Sequence, residues 1–389
     1  MPTSAGLRTA KEGKKDEFYT QLVDIEKEMR FFKDKFAGKV VYCNCDDPYE
    51  SNFFKFFALN FNRLKLRKLV SVSYAGSPIA GEEVSLFENE GKEYKINNKR
   101  AYKVVLTELK DVTGDGREDL EDVKEIIKHR IRYLKGDGDF RSEESIELLK
   151  QADIVVTNPP FSLFREYLAQ LMEYSKSFVI IGNVNAVSCK EVFPLIKENK
   201  MWMGASIHSG DREFRVPDNY PLNASGTRVD AKGNKYIRVK GVRWFTNIDY
   251  NERHEELDLY KEYTEEEYPK YNNYDAINVN KTSEIPCDYD GVMGVPITFL
   301  DRYSPDQFEI TGITLGNTVD YPMTCIYNNA IQHNKDGTTK GGSKVNTRAA
   351  LLVKEEPKNT VYYTADNADG YLISVYPRIL IRNKRSGNL

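Results

Sequence analysis

The sequence has few histidines and cysteines, and neither residue type is spaced as a metal site. Its 389 residues include four histidines and five cysteines, with no Cys-x-x-Cys pair. The usual zinc spacing is therefore missing, and scattered cysteines in an odd number predict a reduced cytoplasmic protein. The histidines are equally scattered, so no nucleophile–base pair of the kind used in covalent catalysis is indicated.

Long apolar runs and a strong net charge are also missing. No run approaches the roughly 18 apolar residues of a membrane helix, and Met1–Arg8 lacks a signal-peptide core. We therefore expect neither a membrane span nor secretion. The formal net charge of −3 argues weakly against a broadly basic surface but permits nucleic acid as a transient substrate. The length allows two domains.

The most informative segment is Asp153–Phe161, where a β-branched apolar run ends in Asn-Pro-Pro-Phe and helical spacing follows. A strand, a turn and a helix in this order place a loop at the carboxyl end of a strand. Pro159 and Pro160 fix two φ angles and remove two N–H donors. The Asn158 side-chain oxygen and the Pro159 carbonyl can each accept one hydrogen of an exocyclic amino group, while Phe161 stacks on the ring. The segment predicts a site for a planar base.

An Asn-Pro-Pro turn on its own is commonly structural. The strand before it, and the aromatic residue and helix after it, favour a functional interpretation. The segment resembles motif IV of the amino-methyltransferases, which use S-adenosylmethionine as methyl donor.

The first third of the chain predicts a parallel α/β sheet. Lys39–Cys45 reads as a buried strand, Asn52–Phe61 as a buried helix and Lys68–Tyr74 as a second strand. Strand, helix and strand in this order form a βαβ unit. The pattern Tyr94–Leu106 predicts a β-ribbon inserted into the connections of the sheet.

The acidic segment Asp111–Asp122 allows two interpretations. Its spacing approximates a calcium loop, with glycine at the sixth position and an acid at the twelfth. However, Thr113 stands at a ligand position, and the last acid is Asp rather than Glu. An acidic turn that caps the following helix is the simpler interpretation, and metal binding stays open.

Loops at the ends of neighbouring strands can share one crevice. If the first strand and the Asn158 strand are neighbours, the loop Asn44–Pro48 holds a cofactor opposite the base. The segment Phe18–Thr20 folds over its amino-acid end. The Asp139 carboxylate is expected to accept a hydrogen bond from an adenine amino group, and Phe140 is expected to pack on the ring of the same adenine. The candidate cofactor-binding residues are Phe18, Tyr19, Thr20, Asn44, Asp46, Asp47, Pro48, Asp139 and Phe140.

These motifs, in this order, resemble those of adenine-specific DNA N6-methyltransferases. Three further segments, Lys15–Gln21, Gly291–Asp301 and Ser304–Ile310, resemble the EcoRI-type modification methylase family. The resemblance covers nearly the whole chain, and Asn-Pro-Pro-Phe is its most specific element. One departure is that Cys43–Ser51 replaces the usual glycine-rich first motif, so no glycine pair admits the cofactor closely.

The resemblance implies a class I, Rossmann-like methyltransferase fold with a mostly parallel sheet, an inserted β-ribbon and helix, and a C-terminal recognition region. Residues 1–250 would form the catalytic domain, with an insertion at about 77–132, and residues 251–389 the target-recognition region. S-adenosylmethionine is the implied cofactor and a flipped-out adenine in double-stranded DNA the implied substrate. A cognate restriction endonuclease acting separately is the other partner that the resemblance allows.

Two alternatives stay open from the residues alone. One is a methyltransferase acting on an RNA base or a protein glutamine, since such enzymes also use Asn-Pro-Pro, usually followed by Tyr. The other is a catalytically silent DNA-binding protein that retains the fold. The intact motif from Asn158 to Phe161 disfavours the second, and Phe161 with the large C-terminal region favours DNA over the first.

Overall fold

The computed structural model describes residues 20–45, 47–75, 100–208, 210–216, 226–316 and 321–385. The chain divides into two compact units. The first comprises residues 1–186 and 201–250, and the second comprises residues 187–200 and 251–389. A short segment from the middle of the chain thus belongs to the C-terminal unit.

Within the described residues, an eight-stranded sheet forms the centre of the first unit. Its strands, in spatial order, are β4 (Arg132–Tyr133), β3 (Tyr102–Leu106), β2 (Lys68–Val72), β1 (Val40–Cys43), β5 (Ile154–Thr157), β6 (Ser177–Asn183), β11 (Val242–Thr246) and β7 (Trp202–Met203). The inner strands β2, β1, β5 and β6 are parallel, and the strands flanking them on each side are antiparallel. The predicted mixed α/β architecture with a large parallel-centred sheet is confirmed.

Strand β1 is the point where the strand order reverses. Val41 pairs with Leu69 of β2 on one side and with Ile154 of β5 on the other. All residues of β1 and β5 are buried, which fits apolar strands covered on both faces. The first strand and the Asn158 strand are therefore neighbours, which is the condition that a shared crevice requires. Ligand crevices of open parallel sheets form at this kind of reversal.

The helices of the first unit cover this sheet through apolar faces. They are α1 (Leu22–Met29), α2 (Asn52–Leu59), α3 (Leu120–Arg130), α4 (Glu143–Gln151) and α5 (Phe164–Glu173). Helix α2 begins where the Ser51 hydroxyl accepts a hydrogen bond from the Phe53 N–H at 3.0 Å. Four of its phenylalanines are at most 5% exposed, and burying each contributes about 2 kcal/mol. The loop between β1 and α2 is thus anchored at both ends.

Short 3₁₀ helices connect the other elements. They span Arg30–Lys35, Phe161–Leu163, Val184–Ser188, Asn251–His254, Thr282–Glu284, Ile297–Arg302 and Ser343–Thr347.

The predicted β-ribbon is wrong where the structure describes it. Tyr102–Leu106 is strand β3 of the central sheet, and it pairs antiparallel with β2 from Leu69 to Val72. A strand in a ribbon and a strand at the flank of a sheet can have the same alternating sequence pattern. Only the strand that pairs with it distinguishes the two arrangements. Residues 94–99 of the prediction lie outside the described residues.

The acidic segment Asp111–Asp122 is a helix cap. The Asp119 side chain and the Asp122 side chain form a reciprocal capping box at the start of α3. Asp122 also accepts from the N–H groups of Val112 and Thr113. Among the described residues, no group of three or more His, Cys, Asp or Glu side chains is arranged to hold a metal ion.

A three-stranded antiparallel sheet follows in the first unit. Its spatial order is β8 (Arg212–Val216), β10 (Lys235–Val239) and β9 (Thr227–Val229). Asp230 closes the turn between β9 and β10, since its carboxylate accepts from the N–H groups of Lys232 and Asn234. This hairpin turn joins the two strands directly.

The second unit consists mainly of two sheets within its described residues. One has the order β12 (Ile277–Asn278), β13 (Met293–Pro296), β20 (Arg378–Asn383) and β14 (Phe308–Ile313). The other has the order β16 (Thr339–Gly341), β15 (Ile331–His333), β18 (Tyr362–Thr364), β19 (Tyr371–Ser374) and β17 (Ala350–Val353). A short helix, α6 (Phe193–Lys197), belongs to this unit.

Candidate active site

Asn158 is the first residue after β5. This residue is only 8% exposed, and the strand before it is buried throughout. Pro159 is also buried. The carbonyl of Pro160 accepts from the Leu163 N–H at 2.9 Å, which starts the 3₁₀ turn leading into α5. The Asn158 amide and the Pro159 carbonyl thus belong to consecutive residues at the carboxyl end of β5.

Phe161 opens the 3₁₀ turn and is half-buried, with its ring packed against the apolar core of the first unit. The predicted base-stacking residue is therefore held in place by packing on one side.

The loop after β1 is joined directly to the end of β5. The backbone N–H of Cys45 donates to the Thr157 hydroxyl at 3.3 Å. Asn44 is 2% exposed, and its side-chain oxygen accepts from the Tyr167 hydroxyl of α5. The Asn44 amide nitrogen is buried and has no hydrogen-bond partner among the described residues. The loop therefore presents a fixed amide whose donor side is unused.

Asp47 has a structural partner in this loop. The Tyr102 hydroxyl of β3 donates to both carboxylate oxygens at 2.8 and 2.7 Å, and the Tyr49 N–H donates at 3.0 Å. Burial, and then the negative charge of Asp47, raise the pKa of Tyr102, which keeps its hydroxyl protonated as a donor. Pro48 is buried, and Asp46 lies outside the described residues. Asp47 thus fixes the loop to the sheet.

The loop holding Asp139 and Phe140 lies against the end of β2. Gly138 has a φ of +77°, and a Cβ there would lie 2.2 Å from the Ser73 carbonyl oxygen. Only glycine permits both this conformation and this approach. The Asp139 carboxylate accepts hydrogen bonds from three groups of Arg141, which are its backbone N–H, Nε and Nη2. Phe140 is 5% exposed, and its ring packs edge-on against Tyr167 with centroids 5.1 Å apart.

Thr20 is the described part of the predicted N-terminal segment. It is 4% exposed, and its carbonyl accepts from the Asn52 side chain at 2.7 Å. This bond ties the segment to the start of α2, directly after the β1 loop. The Thr20 hydroxyl is buried and has no hydrogen-bond partner in the described part of the chain. Phe18 and Tyr19 lie outside the described residues.

Together these contacts gather the ends of β1, β2 and β5 at one edge of the sheet. Residues that the sequence analysis missed make the connections: Thr157 joins β5 to the β1 loop, Tyr167 joins α5 to Asn44, and Asn52 holds Thr20. Tyr167 follows Phe164 and precedes Leu171 at helical spacing, which is indistinguishable from an ordinary core face. The hydroxyl on that face was the one available signal.

A parallel-centred sheet with Asn-Pro-Pro-Phe at the carboxyl end of a strand beside the reversal point defines the class, an amino-group methyltransferase. A family model described as "Adenine-specific methyltransferase EcoRI" matches residues 6–384. The chain belongs to this family of EcoRI-type adenine-specific methyltransferases. The predicted family and the predicted reaction, DNA adenine methylation, are confirmed.

Similar curated proteins carry consistent names. The chain is 48% identical over 310 residues to the Type II methyltransferase M.EcoRI of Escherichia coli, covering 79% of this chain and 89% of that protein. It is 39% identical to the Type II methyltransferase M.MgeORF184P of Mycoplasma genitalium, over 77% of this chain and 84% of that protein. It is also 39% identical to the Type II methyltransferase M.MpnI of Mycoplasma pneumoniae, over 77% of this chain and 83% of that protein.

No solved structure matches the chain. In the described part of the chain, no helix has the length and apolar character needed to cross a bilayer.

Proposed function

We propose that this enzyme transfers the methyl group of S-adenosylmethionine to N6 of an adenine flipped out of double-stranded DNA, on a class I methyltransferase fold. The observation that carries the proposal is the position of Asn158 and the Pro159 carbonyl at the carboxyl end of β5, joined through Thr157 and Cys45 to the β1 loop. Two acceptors for an exocyclic amino group thus lie next to a loop that can hold a cofactor.

Buried polar atoms at the crevice fit the cofactor. The Asn44 amide nitrogen is a donor and the Thr20 hydroxyl can donate or accept, and both are buried with unused hydrogen-bonding capacity within the described residues. Such groups are costly unless a ligand satisfies them. Asn44 and Thr20 are therefore the first residues we assign to the cofactor, with Phe18, Tyr19, Asp46, Pro48 and Phe140 proposed beside them. S-adenosylmethionine, when bound, supplies an electrophilic sulfonium methyl group.

Asp47 and Asp139 receive a weaker assignment. Each carboxylate already accepts several hydrogen bonds, from Tyr102 and from Arg141 respectively. Both side chains therefore position their loops. An adenine amino group can donate to Asp139 only if it shares that carboxylate with Arg141.

The chemistry assigned to Asn158 follows from the weak nucleophilicity of the adenine amino group. Its lone pair is delocalised into the ring. When the Asn158 oxygen and the Pro159 carbonyl each accept one amino hydrogen, the nitrogen becomes more tetrahedral, and its lone pair turns towards the methyl group. These bonds strengthen as positive charge develops on the nitrogen, so they stabilise the transition state more than the ground state. Pro160 keeps the turn rigid because its φ is fixed.

Phe161 is assigned to the face of the flipped base. Extruding a base from a duplex costs a few kcal/mol of unstacking, and stacking on one aromatic ring returns about 1–3 kcal/mol. We assign target recognition to residues 251–389 and place the enzyme in the cytoplasm beside its DNA. A separately acting restriction endonuclease is proposed as the cognate partner.

The experiment is transfer of labelled methyl from S-adenosylmethionine to unmethylated duplex DNA, with RNA and protein acceptors in parallel. We expect label on adenine N6 of DNA and its loss in Asn158→Ala. The control is Asn247→Ala, which removes a partly buried asparagine amide at the opposite edge of the sheet, where it bonds the Phe178 N–H and the Lys176 carbonyl. Label only on RNA or protein, or full activity in Asn158→Ala, would overturn the proposal.

A further inference from the structure

The outer face of the three-stranded sheet carries a row of cationic and aromatic side chains. Arg215 of β8 lies opposite Tyr236 of β10, and Tyr236 lies opposite Arg228 of β9. The Arg228 guanidinium lies 4.2 Å from the centre of the Tyr236 ring. Two positions further along β10, Arg238 lies opposite Glu213. We call Arg215, Arg228, Tyr236 and Arg238 the arginine face.

The core of the first unit fixes which way this face points. Phe214, Val216 and Ile237 alternate with its residues along the strands, and all three are buried in the main apolar cluster. Because successive side chains of a strand point to opposite sides, the arginines must point away from the core. Arg215, Arg228 and Arg238 are exposed accordingly.

The charge of the face is only partly balanced. Arg228 forms an ion pair with Glu213, in which Nε of Arg228 lies 2.6 Å from Oε1 of Glu213. Hydrogen bonds from Arg228, and the charge of Arg238 to a smaller extent, lower the pKa of Glu213. No carboxylate in the described part of the chain forms an ion pair with Arg215 or Arg238. A second carboxylate, Asp230, accepts from the Tyr236 hydroxyl at 3.2 Å and acts on Arg228. The carboxylates therefore lie beside Arg228, and the guanidinium groups of Arg215 and Arg238 stay available for an anionic partner.

The topology places the arginine face at the active-site edge of the central sheet. Strand β10 leads through a two-residue turn into β11, whose first residue Val242 pairs with Asn183, the last residue of β6. The Asn183 side chain donates to the Lys240 carbonyl at 2.8 Å, and Val184 N–H donates to the Gly241 carbonyl at 2.7 Å. Strand β6 is parallel to its neighbour β5. The end of β10 therefore lies at the same edge as Asn158.

We infer that the arginine face binds the phosphodiester backbone of the duplex that carries the target adenine. The inference rests on the proposed function, because it needs duplex DNA as the substrate. Guanidinium groups match phosphate oxygens in geometry and charge. A sheet held rigidly at the carboxyl edge, with two uncompensated guanidiniums, can fix the register of the DNA relative to the Asn158 turn without reading its sequence.

The test compares Arg215→Gln/Arg238→Gln with the wild-type enzyme on a duplex that the wild type methylates. Affinity is measured by fluorescence anisotropy from about 50 to 200 mM salt. Loss of two phosphate contacts should weaken binding on the order of tenfold and reduce the slope of log K against log salt by about 1.8. The variant Arg215→Lys/Arg238→Lys keeps both positive charges and should therefore recover most of the affinity. If the two arginines only supported folding through their guanidinium groups, lysine would not be expected to restore binding.

Arg67→Gln is the matched control. Arg67 is an exposed arginine at the amino-terminal edge of the central sheet, where it pairs with Asp153 at 3.1 Å, and its removal should leave the salt slope unchanged. If the wild type methylates the duplex but the glutamine double variant keeps the wild-type affinity and slope, the arginine face is not a DNA contact. If the wild type methylates no duplex, the proposed function fails first, and this inference fails with it.

Discussion

Replacing Tyr167 with phenylalanine tests how the cofactor loop is held. The substitution keeps the ring against Phe140 and removes only the hydroxyl that donates to the Asn44 side chain. Asn44 is 2% exposed, so water cannot replace the lost donor. Leaving a buried acceptor without this bond costs roughly 1–3 kcal/mol. The free energy of unfolding should therefore decrease by roughly 1–3 kcal/mol relative to the wild type.

The same change should weaken cofactor binding. The hydroxyl fixes which way the Asn44 amide points, and without it the amide nitrogen is no longer presented to the cofactor. We expect the dissociation constant of S-adenosylmethionine, measured by calorimetry, to rise about 5- to 30-fold, which corresponds to about 1–2 kcal/mol. The variants Asn44→Ala and Asn44→Ala/Tyr167→Phe complete a double-mutant cycle.

Coupling between the two positions distinguishes the explanations. If Tyr167 acts through Asn44, the double variant should bind the cofactor no worse than Asn44→Ala alone, giving a coupling energy of about 1 kcal/mol or more. Additive losses, or an unchanged affinity in Tyr167→Phe, would refute the inference that Tyr167 orients Asn44 for the cofactor, and an unchanged affinity in Asn44→Ala would refute the assignment of Asn44 to the cofactor.

Three further predictions follow from single sites. Gly138→Ala should lower the free energy of unfolding by more than about 2 kcal/mol, because a left-handed φ and a 2.2 Å approach to the Ser73 carbonyl oxygen combine there; in Gly116→Ala, where φ is +85° and the space is open, urea denaturation should show a smaller loss. Burial raises the pKa of Glu28 to about 6 from 4.5, so its stabilising contribution is present below pH 4.5 and lost as the pH rises through 6. The stability of the wild type relative to Glu28→Gln should therefore fall by about 2 kcal/mol across that window, whereas parallel pH profiles would contradict the raised pKa. Phe161→Ala should weaken the complex with substrate duplex by about 1–3 kcal/mol, Phe161→Tyr should retain most of the affinity, and equal binding by all three proteins would exclude the stack.

The strand-and-loop frame of the site could be predicted from sequence. Buried apolar runs ending in Asn44 and in Asn158 indicated two strands of a parallel sheet, and the register confirms that β1 and β5 are neighbours. Local signals sufficed there because the strands are short, apolar and followed by distinct turns. The helix after Phe161 was equally readable from its spacing.

The contacts that tie the frame together were not readable. Tyr102 pairs with Asp47 across 55 residues, and Tyr167 with Asn44 across 123, and nothing in either local pattern identifies the partner. Strand β3 was assigned to a ribbon for the same reason. It pairs with β2, which lies about 30 residues earlier in the chain, and local sequence patterns do not identify so distant a partner. The arginine face depends on the register between β8 and β10, which brings Arg215 to Tyr236, and alternation alone does not fix that register.

The most direct test of the central claim is the single-turnover rate constant of methyl transfer for the wild type and Asn158→Ala, with the cofactor and DNA dissociation constants measured on the same proteins. If Asn158 accepts an amino hydrogen chiefly in the transition state, the rate constant should fall by about 10²–10³, while both dissociation constants stay within about threefold. A rate constant within tenfold of the wild type, on a protein that still binds both ligands, would show that the chemistry does not depend on Asn158.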